Sequence, residues 1–287
     1  MGDPRADLDT VTRAQWLDAC RQATRAIGAM LAERATTAER VAETGSRGSG
    51  GDRTLEIDAA AEQLVFDQLE RLHSQGHRFS AISEERGAVD LGDPGLLVVI
   101  DPIDGSLNAK RGISHYALSV AVARGATMAD VRFGFVHDFG TGEEWWAASG
   151  AGAFLDGGRL DAGLGERRGP DGRIEVVGIE SADPRWLQGS LDGLVERAYR
   201  LRALGAIAPS LCQVAAARFD GLVSLRDCRA VDAAAGQLIV REAGGLVSFP
   251  KFEQRLQAPL DLGPHSPVVA ARTPATLTEL EAVCLPR

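Results

Sequence analysis

Paired cysteines are missing from this chain. Cys20, Cys212, Cys228 and Cys284 form no C-x-x-C pair, and no histidine stands where it would complete a zinc site. Free buried thiols are expected, and a disulfide-stapled mini-protein is excluded. Long apolar runs are missing too, since none approaches the roughly 20 residues that a bilayer-crossing helix needs. The opening stretch Met1 to Thr10 carries Asp3, Asp7 and Asp9, too polar for a secretory signal, so a cytoplasmic protein is expected. Positive charge is in deficit: 31 Lys+Arg against 40 Asp+Glu give a net charge of −9, which argues against a general nucleic-acid binder. Among the basic residues only Lys110 and Lys251 are lysine, a bias that carries no chemistry. No G-x-x-x-x-G-K-[ST] phosphate loop occurs. The segment Gly150 to Phe154 lacks the third glycine of a dinucleotide fingerprint and a following helix, and it reads as a turn.

What is present is an ordinary globular composition, 45% apolar and 25% charged over 287 residues, with ample material for one large or two smaller cores. Apolar periodicity predicts a long helix over about 9–44 and a second over 57–73. Between them the Gly- and Ser-rich stretch 43–52 reads as a mobile loop. Strands are expected at 79–83, 96–100, 116–123, 132–137 and 143–148. A boundary is expected within the Gly-, Arg- and Pro-rich segment 161–173. Beyond it strands at 174–179, 221–225, 246–249 and 268–271 alternate with helices at 186–199, 211–218, 232–243 and 274–283. Gly244-Gly245 is a normal helix stop. The whole reads as mixed α/β, with helices covering both faces of sheets.

The informative residues are carboxylates at element ends. Leu96 to Ile100 reads as a strand buried on both faces, and it delivers Asp101 to the surface, the usual place for chemistry in an open sheet. Pro102 fixes the backbone, and Gly105 lets it turn closely around a ligand. Asp101, Asp104 and the Ile103 carbonyl can therefore point to one spot. Oxygen-only donors suit a hard cation such as Mg²⁺ rather than zinc. The N–H groups of Gly105 and Ser106 would suit a phosphate oxygen. Several carboxylates crowded together need cations to neutralise them. The five histidines, His73, His77, His115, His137 and His265, are scattered and read as structural or surface residues.

The run Asp101-Pro102-Ile103-Asp104-Gly105-Ser106-Leu107-Asn108 closely resembles the D-P-[IL]-D-G-[ST]-x-N signature of the inositol monophosphatase family. Ser83-Glu84-Glu85 resembles the family's upstream paired glutamates. Val231-Asp232-Ala233-Ala234-Ala235-Gly236 with Glu242-Ala243-Gly244-Gly245 resembles its W-D-x-A-A-G…E-A-G-G motif, and Arg53 to Asp58 with Ala61-Glu62 the region of a further catalytic Asp. The resemblance spans about residues 45 to 250. It implies a layered αβαβα sandwich with an N-terminal α+β half (1–165), a C-terminal α/β half (166–287) and a site between them. It implies two or three Mg²⁺ ions. Glu84, Asp101 and the Ile103 carbonyl would hold one, and Asp101, Asp104 and Asp232 a second. Glu84 with water would help hold a third. Asp58 and Ser106 would orient the attacking water, and Gly105 and Ser106 would bind phosphate through their backbone. Ser106 stands where Thr is commoner and keeps the hydroxyl. Val231 replaces Trp, which loses packing but no ligand.

The resemblance also implies a small-molecule phosphate ester as substrate and a homodimer; the acidic balance and the lack of long apolar runs leave no nucleic-acid or membrane partner expected. The stretch 222–227 lacks the Glu that holds inositol hydroxyls in inositol-specific members. Leu225 to Arg229 and Asn108 to Ile113 are instead similar to the archaeal-type branch, whose members act on fructose 1,6-bisphosphate and inositol monophosphates. A bisphosphate needs a second anion site, for which Arg197, Arg200, Arg202 and Arg226 are candidates. The expected activity is thus a Mg²⁺-dependent phosphomonoesterase on a sugar or inositol phosphate. The alternatives are a 3′-phosphoadenosine 5′-phosphate-type nucleotide phosphatase of the same superfamily and a non-catalytic phosphometabolite-binding relative. The loop 44–53 is expected to close near Asp58 when cation and substrate bind.

Overall fold

The strand Ala117–Ala123 (ALSVAVA) is buried along its whole length, and its alternation sorts two cores. Leu118, Val120 and Val122 face one side; Ala117, Ala121 and Ala123 face the other. A strand buried on both faces must be covered on both faces, and the chain does this with helices. The computed structural model describes residues 10–34, 43–47 and 53–284.

The N-terminal part contains α1 (Thr10–Glu33), a small pair of strands β1 (Glu43–Arg47) and β2 (Arg53–Leu55), and α2 (Glu56–Ser74). Then come β3 (Phe79–Ser83), β4 (Gly87–Asp104), the short α3 (Ser106–Arg111), β5 (Ala117–Ala123), β6 (Val131–Asp138), β7 (Glu144–Ala148), β8 (Gly152–Leu155) and β9 (Gly158–Arg159). β3 to β9 form one seven-stranded sheet in sequence order. β3 pairs in parallel with the later part of β4, Ser80↔Leu97 through Ser83↔Ile100, and β4 is antiparallel to β5. Glu84 and Asp101 therefore leave neighbouring strands at the same end of the sheet.

The C-terminal part contains β10 (Ile174–Glu180), α4 (Pro184–Arg197), β11 (Ala198–Arg202), α5 (Ile207–Ala215) and β12 (Gly221–Ser224). It continues with α6 (Ala230–Glu242), β13 (Leu246–Ser248), β14 (Val269–Ala271) and α7 (Pro274–Cys284). Its five strands run in the order β11-β10-β12-β14-β13.

Three apolar clusters stack these elements into the αβαβα sandwich. Trp16, Ile27, Phe66 and Leu69 of α1 and α2 cover one face of the large sheet, against Val120, Phe133 and Phe135. Leu211, Val214, Ala234 and Leu238 of α5 and α6 fill the middle layer between the sheets. Leu194, Leu277 and Leu280 of α4 and α7 cover the outer face of the small sheet with Val177 and Val223. Where α6 crosses β6 the backbones approach closely, alanine against glycine. A side chain built at Gly134 would come within 2.7 Å of the Ala235 carbonyl oxygen. Filling such a contact with a larger side chain costs about 1–3 kcal/mol.

Several boundaries differ from the sequence reading. The first helix ends at Glu33, and the predicted continuation over 35–42 lies outside the described residues. Glu43–Arg47, expected as loop, is a strand pairing antiparallel with Arg53–Leu55, while 48–52 lie outside the described residues. A hairpin satisfies backbone groups without side-chain packing, so a Gly- and Ser-rich composition does not forbid it. Gly152 to Phe154, expected as part of a turn, opens β8, paired with β7 through Ala148↔Gly152. The helix expected over 186–199 runs from Pro184 to Arg197, with Asp183 accepting from the Arg185 backbone N–H at 2.8 Å. Ala198–Arg202 then forms a strand parallel to β10, its buried and open residues alternating. The helix expected over 211–218 is Ile207–Ala215.

Candidate metal centre

The apolar run 96–100 of β4 is followed by Asp101, which is 2% exposed. Its Oδ1 accepts the Ile103 backbone N–H at 3.0 Å, which closes a tight turn and holds the carboxylate in place. Asp104, 7% exposed, accepts the Ala208 backbone N–H at 2.6 Å. Ala208 lies in the first turn of α5, where unpaired N–H groups favour an anion. Gly105 has φ +89, and a Cβ there would stand 2.9 Å from the Ala206 Cβ and 3.0 Å from the His115 carbonyl oxygen. Only glycine passes this point without strain. The signature's Asn108 then spans the two halves of the sequence, donating to the carbonyls of His115 at 2.9 Å and Leu204 at 2.7 Å.

Asp232 sits in the first turn of α6 and is 9% exposed. One carboxylate oxygen each from Asp101, Asp104 and Asp232 lies within 4.8 Å of the other two. Burial raises the pKa of Asp101 well above the ordinary value, and Glu84, Asp104 and Asp232 raise it further. Burial does the same to Asp104, with Asp232 as the next contributor. Three buried, mutually repelling carboxylates form an all-oxygen donor set, and that chemistry fits a hard divalent cation.

Glu84 follows β3 on a turn that Glu62 fixes. Glu62 is buried, hydrogen-bonds the Ser83 hydroxyl, and accepts the backbone N–H groups of Glu85 at 3.2 Å and Arg86 at 3.1 Å. The Glu84 carboxylate meets Arg229, Nη1 to Oε1 at 2.7 Å, and the other Nη of the same guanidinium lies 3.4 Å from Asp232 Oδ1. Burial raises the Glu84 pKa, and Arg229 opposes it. The Ser106 hydroxyl lies 2.9 Å from the Ile103 carbonyl oxygen and 3.2 Å from Asp58 Oδ1, so Asp58, Ser106 and Ile103 form one chain of contacts.

Beside the carboxylates opens a cavity of about 570 Å³, lined among others by Asp104, Asp232, Glu180, Trp186, Arg226 and Arg229. Arg226 stacks over Trp186, 5.0 Å from guanidinium carbon to ring centre. Of the expected arginines, Arg226 alone reaches the cavity. Arg197 donates to the Gly193 carbonyl and Glu196, Arg200 packs on Tyr199, and Arg202 donates to the Leu201 carbonyl. They belong to the end of α4 and to β11, whose register carries them along the outer edge of the small sheet.

Two residues of the site were given no role from the sequence. Arg229, at the end of the stretch 225–229 and three positions before Asp232, is one. Glu180 at the end of β10 is the other: it accepts from the backbone N–H groups of Leu204 and Gly205, both at 3.0 Å, and from the Ser210 hydroxyl at 2.6 Å. Burial pushes its pKa up to about 7 against those hydrogen bonds. No helix among the described residues is long and apolar enough to cross a membrane.

A sequence model described as the inositol monophosphatase family matches residues 11–284. A fructose-1,6-bisphosphatase/inositol-1-monophosphatase of Methanothermobacter thermautotrophicus is 36% identical over 212 residues, covering 70% of this chain and 72% of that one. A Nus factor SuhB of Escherichia coli K12 is 33% identical over 231 residues, covering 79% and 82%. Among solved structures, the extragenic suppressor protein SuhB from Bartonella henselae is similar with a TM-score of 0.76 at 23% identity, over 96% of this chain and 99% of that one. An inositol monophosphatase from Anabaena is similar with a TM-score of 0.70 at 23% identity, over 94% and 95%. At these identities the structural likeness speaks to the fold.

Proposed function

The chain belongs to the inositol monophosphatase family, and from that premise we propose that it is a Mg²⁺-dependent phosphomonoesterase acting on a sugar or inositol phosphate. The observation that carries this reading is the convergence of three buried carboxylates, Asp101, Asp104 and Asp232, from two parts of the chain. Burying that much like charge is unfavourable unless a cation compensates it.

In this reading Glu84, Asp101, the Ile103 carbonyl, Asp104 and Asp232 are the ligands of two or three ions. When bound, the ions supply charge neutralisation at the phosphate and activation of the attacking water. Asp58 and Ser106 position that water, since the Ser106 hydroxyl is held between Asp58 and Ile103. The backbone N–H groups of Gly105 and Ser106 take the phosphate oxygens. The alcohol part of the ester lies in the cavity against Trp186, and Arg226 takes a second anionic group where the substrate has one. The site lies between an N-terminal half (1–165) and a C-terminal half (166–287). A cytoplasmic homodimer working on a small phosphate ester, with neither nucleic acid nor membrane as partner, completes the proposal.

The test is phosphate release by purified protein with Mg²⁺ from inositol 1-phosphate, fructose 1,6-bisphosphate and adenosine 3′,5′-bisphosphate. Release from either of the first two, abolished by a chelator, is expected. Release from the nucleotide alone would favour the nucleotide phosphatase. Inactivity on all three would overturn the phosphatase reading.

A further inference from the structure

Arg229 stands one turn before Asp232, at the N-terminal boundary of α6. Its backbone N–H donates to Asp232 Oδ2 at 3.0 Å, and its guanidinium spans Glu84 Oε1 at 2.7 Å and Asp232 Oδ1 at 3.4 Å. The three side chains are 20%, 14% and 13% exposed, so water screens the contact only weakly. The two carboxylates come from separate parts of the sequence, and the guanidinium is what joins them.

We propose that Arg229 is a built-in counter-cation of the carboxylate cluster, which competes with divalent ions for Glu84 and Asp232. This rests on the metal-dependent reading given above. A guanidinium bound to a carboxylate oxygen occupies lone pairs that a cation ligand must offer. Its positive charge also opposes a second cation a few ångströms away. Arginine keeps its proton at any working pH, so it cannot yield by neutralising as lysine or histidine can. It can yield only by swinging off at least one carboxylate, into the cavity it already lines. Without the ion, Arg229 offsets charge that would otherwise be buried unpaired.

An ordinary structural ion pair predicts the opposite sign for metal affinity. If Arg229 merely organised Glu84 and Asp232, its loss would leave two disordered ligands and weaker ion binding. If it competes, its loss strengthens ion binding and destabilises the ion-free protein.

The experiment is Mn²⁺ titration of the full chain by calorimetry, with thermal unfolding in chelator, for wild type, Arg229→Gln, Arg229→Lys and Asp104→Asn. Arg229→Gln removes the charge and leaves a shorter, neutral amide that lacks the two Nη atoms in contact with Glu84 and Asp232. Its Mn²⁺ affinity is expected to rise about tenfold, while its melting temperature in chelator falls and the Mn²⁺-induced rise in melting temperature grows. Arg229→Lys keeps the charge and should lie between the two. Unchanged or weaker Mn²⁺ binding by Arg229→Gln, with wild type binding and Asp104→Asn not binding, overturns the counter-cation role alone. Absence of Mn²⁺ binding in wild type overturns both it and the metal-dependent reading. Should Arg229→Gln fail to fold, Arg229→Lys with affinity equal to or below that of wild type overturns the role.

Discussion

The floor of the site and its rim are built on different principles. The floor is Asp101, Asp104 and Asp232: buried carboxylates, with Asp101 and Asp104 accepting backbone N–H groups of Ile103 and Ala208 and Asp232 that of Arg229. The rim carries Leu107, 61% exposed, and Trp186, 40% exposed, with Arg226 stacked on the latter. Floor side chains have little freedom left to lose, so their geometry is preorganised. Rim side chains retain freedom and meet water, and in the proposed function they are the part that discriminates between esters. Glu180 links the two: from β10 it holds the 204–205 backbone that leads into α5, whose Ala208 holds Asp104.

The largest contrast is expected from Asp101→Asn. Phosphate release should fall about a thousandfold, the several kcal/mol of charge stabilisation that an ion supplies. The same variant should melt higher than wild type in chelator, because it removes a carboxylate whose ionisation burial already opposes. A drop in both activity and ion-free stability would blur the distinction between floor and rim, and calorimetry with an activity assay decides it.

Glu180 gives the next effect, in stability. Its folded pKa, about 7, lies above the ordinary value of 4.5, so the folded state holds this proton more tightly than the unfolded state. The stability it contributes is full below pH 4.5 and is lost as pH rises toward 7, a change of roughly 3 kcal/mol. Glu180→Gln keeps an acceptor oxygen and removes this titration. Urea unfolding in chelator at pH 4.5 and 7.5 should show the variant gaining on wild type by about that amount. Parallel stabilities at the two pH values would count against the buried titration.

The smallest effect belongs to the rim. Arg226→Ala should raise KM about tenfold for fructose 1,6-bisphosphate, the worth of one charge-assisted hydrogen bond, and leave kcat nearly unchanged. Inositol 1-phosphate, with one phosphate, should be affected less. Equal changes for both substrates would remove Arg226 from any second anion site.

Two thirds of the floor was legible in a dense local pattern, a five-residue apolar run ending on Asp101, then Pro102, Asp104 and Gly105; Asp232, far along the chain, was legible only through the family resemblance. Apolar periodicity disclosed α2 as a helix, while the order of the layers came from the family resemblance. Arg229 and Glu180 lacked such a pattern. Glu180 and Arg229 are 49 positions apart in a chain with many charged residues, and Glu84 is farther still; tertiary convergence alone makes them neighbours. The arginine candidates show the converse. Arg197, Arg200 and Arg202 share a type with Arg226, but type says nothing about which edge of a sheet a side chain lines. Ala198–Arg202 was hidden because a five-residue alternation directly follows a helix whose own pattern runs smoothly into it.

The least replaceable position of the floor has no side chain. At Gly105 a single added methyl would press on Ala206 and on the His115 carbonyl. Ala206 and Gly205 open the turn that brings Ala208 to Asp104, so the displacement would reach a carboxylate through the backbone. One added methyl would thus disturb the acid group of its own chain neighbour by the long way round, through the start of α5.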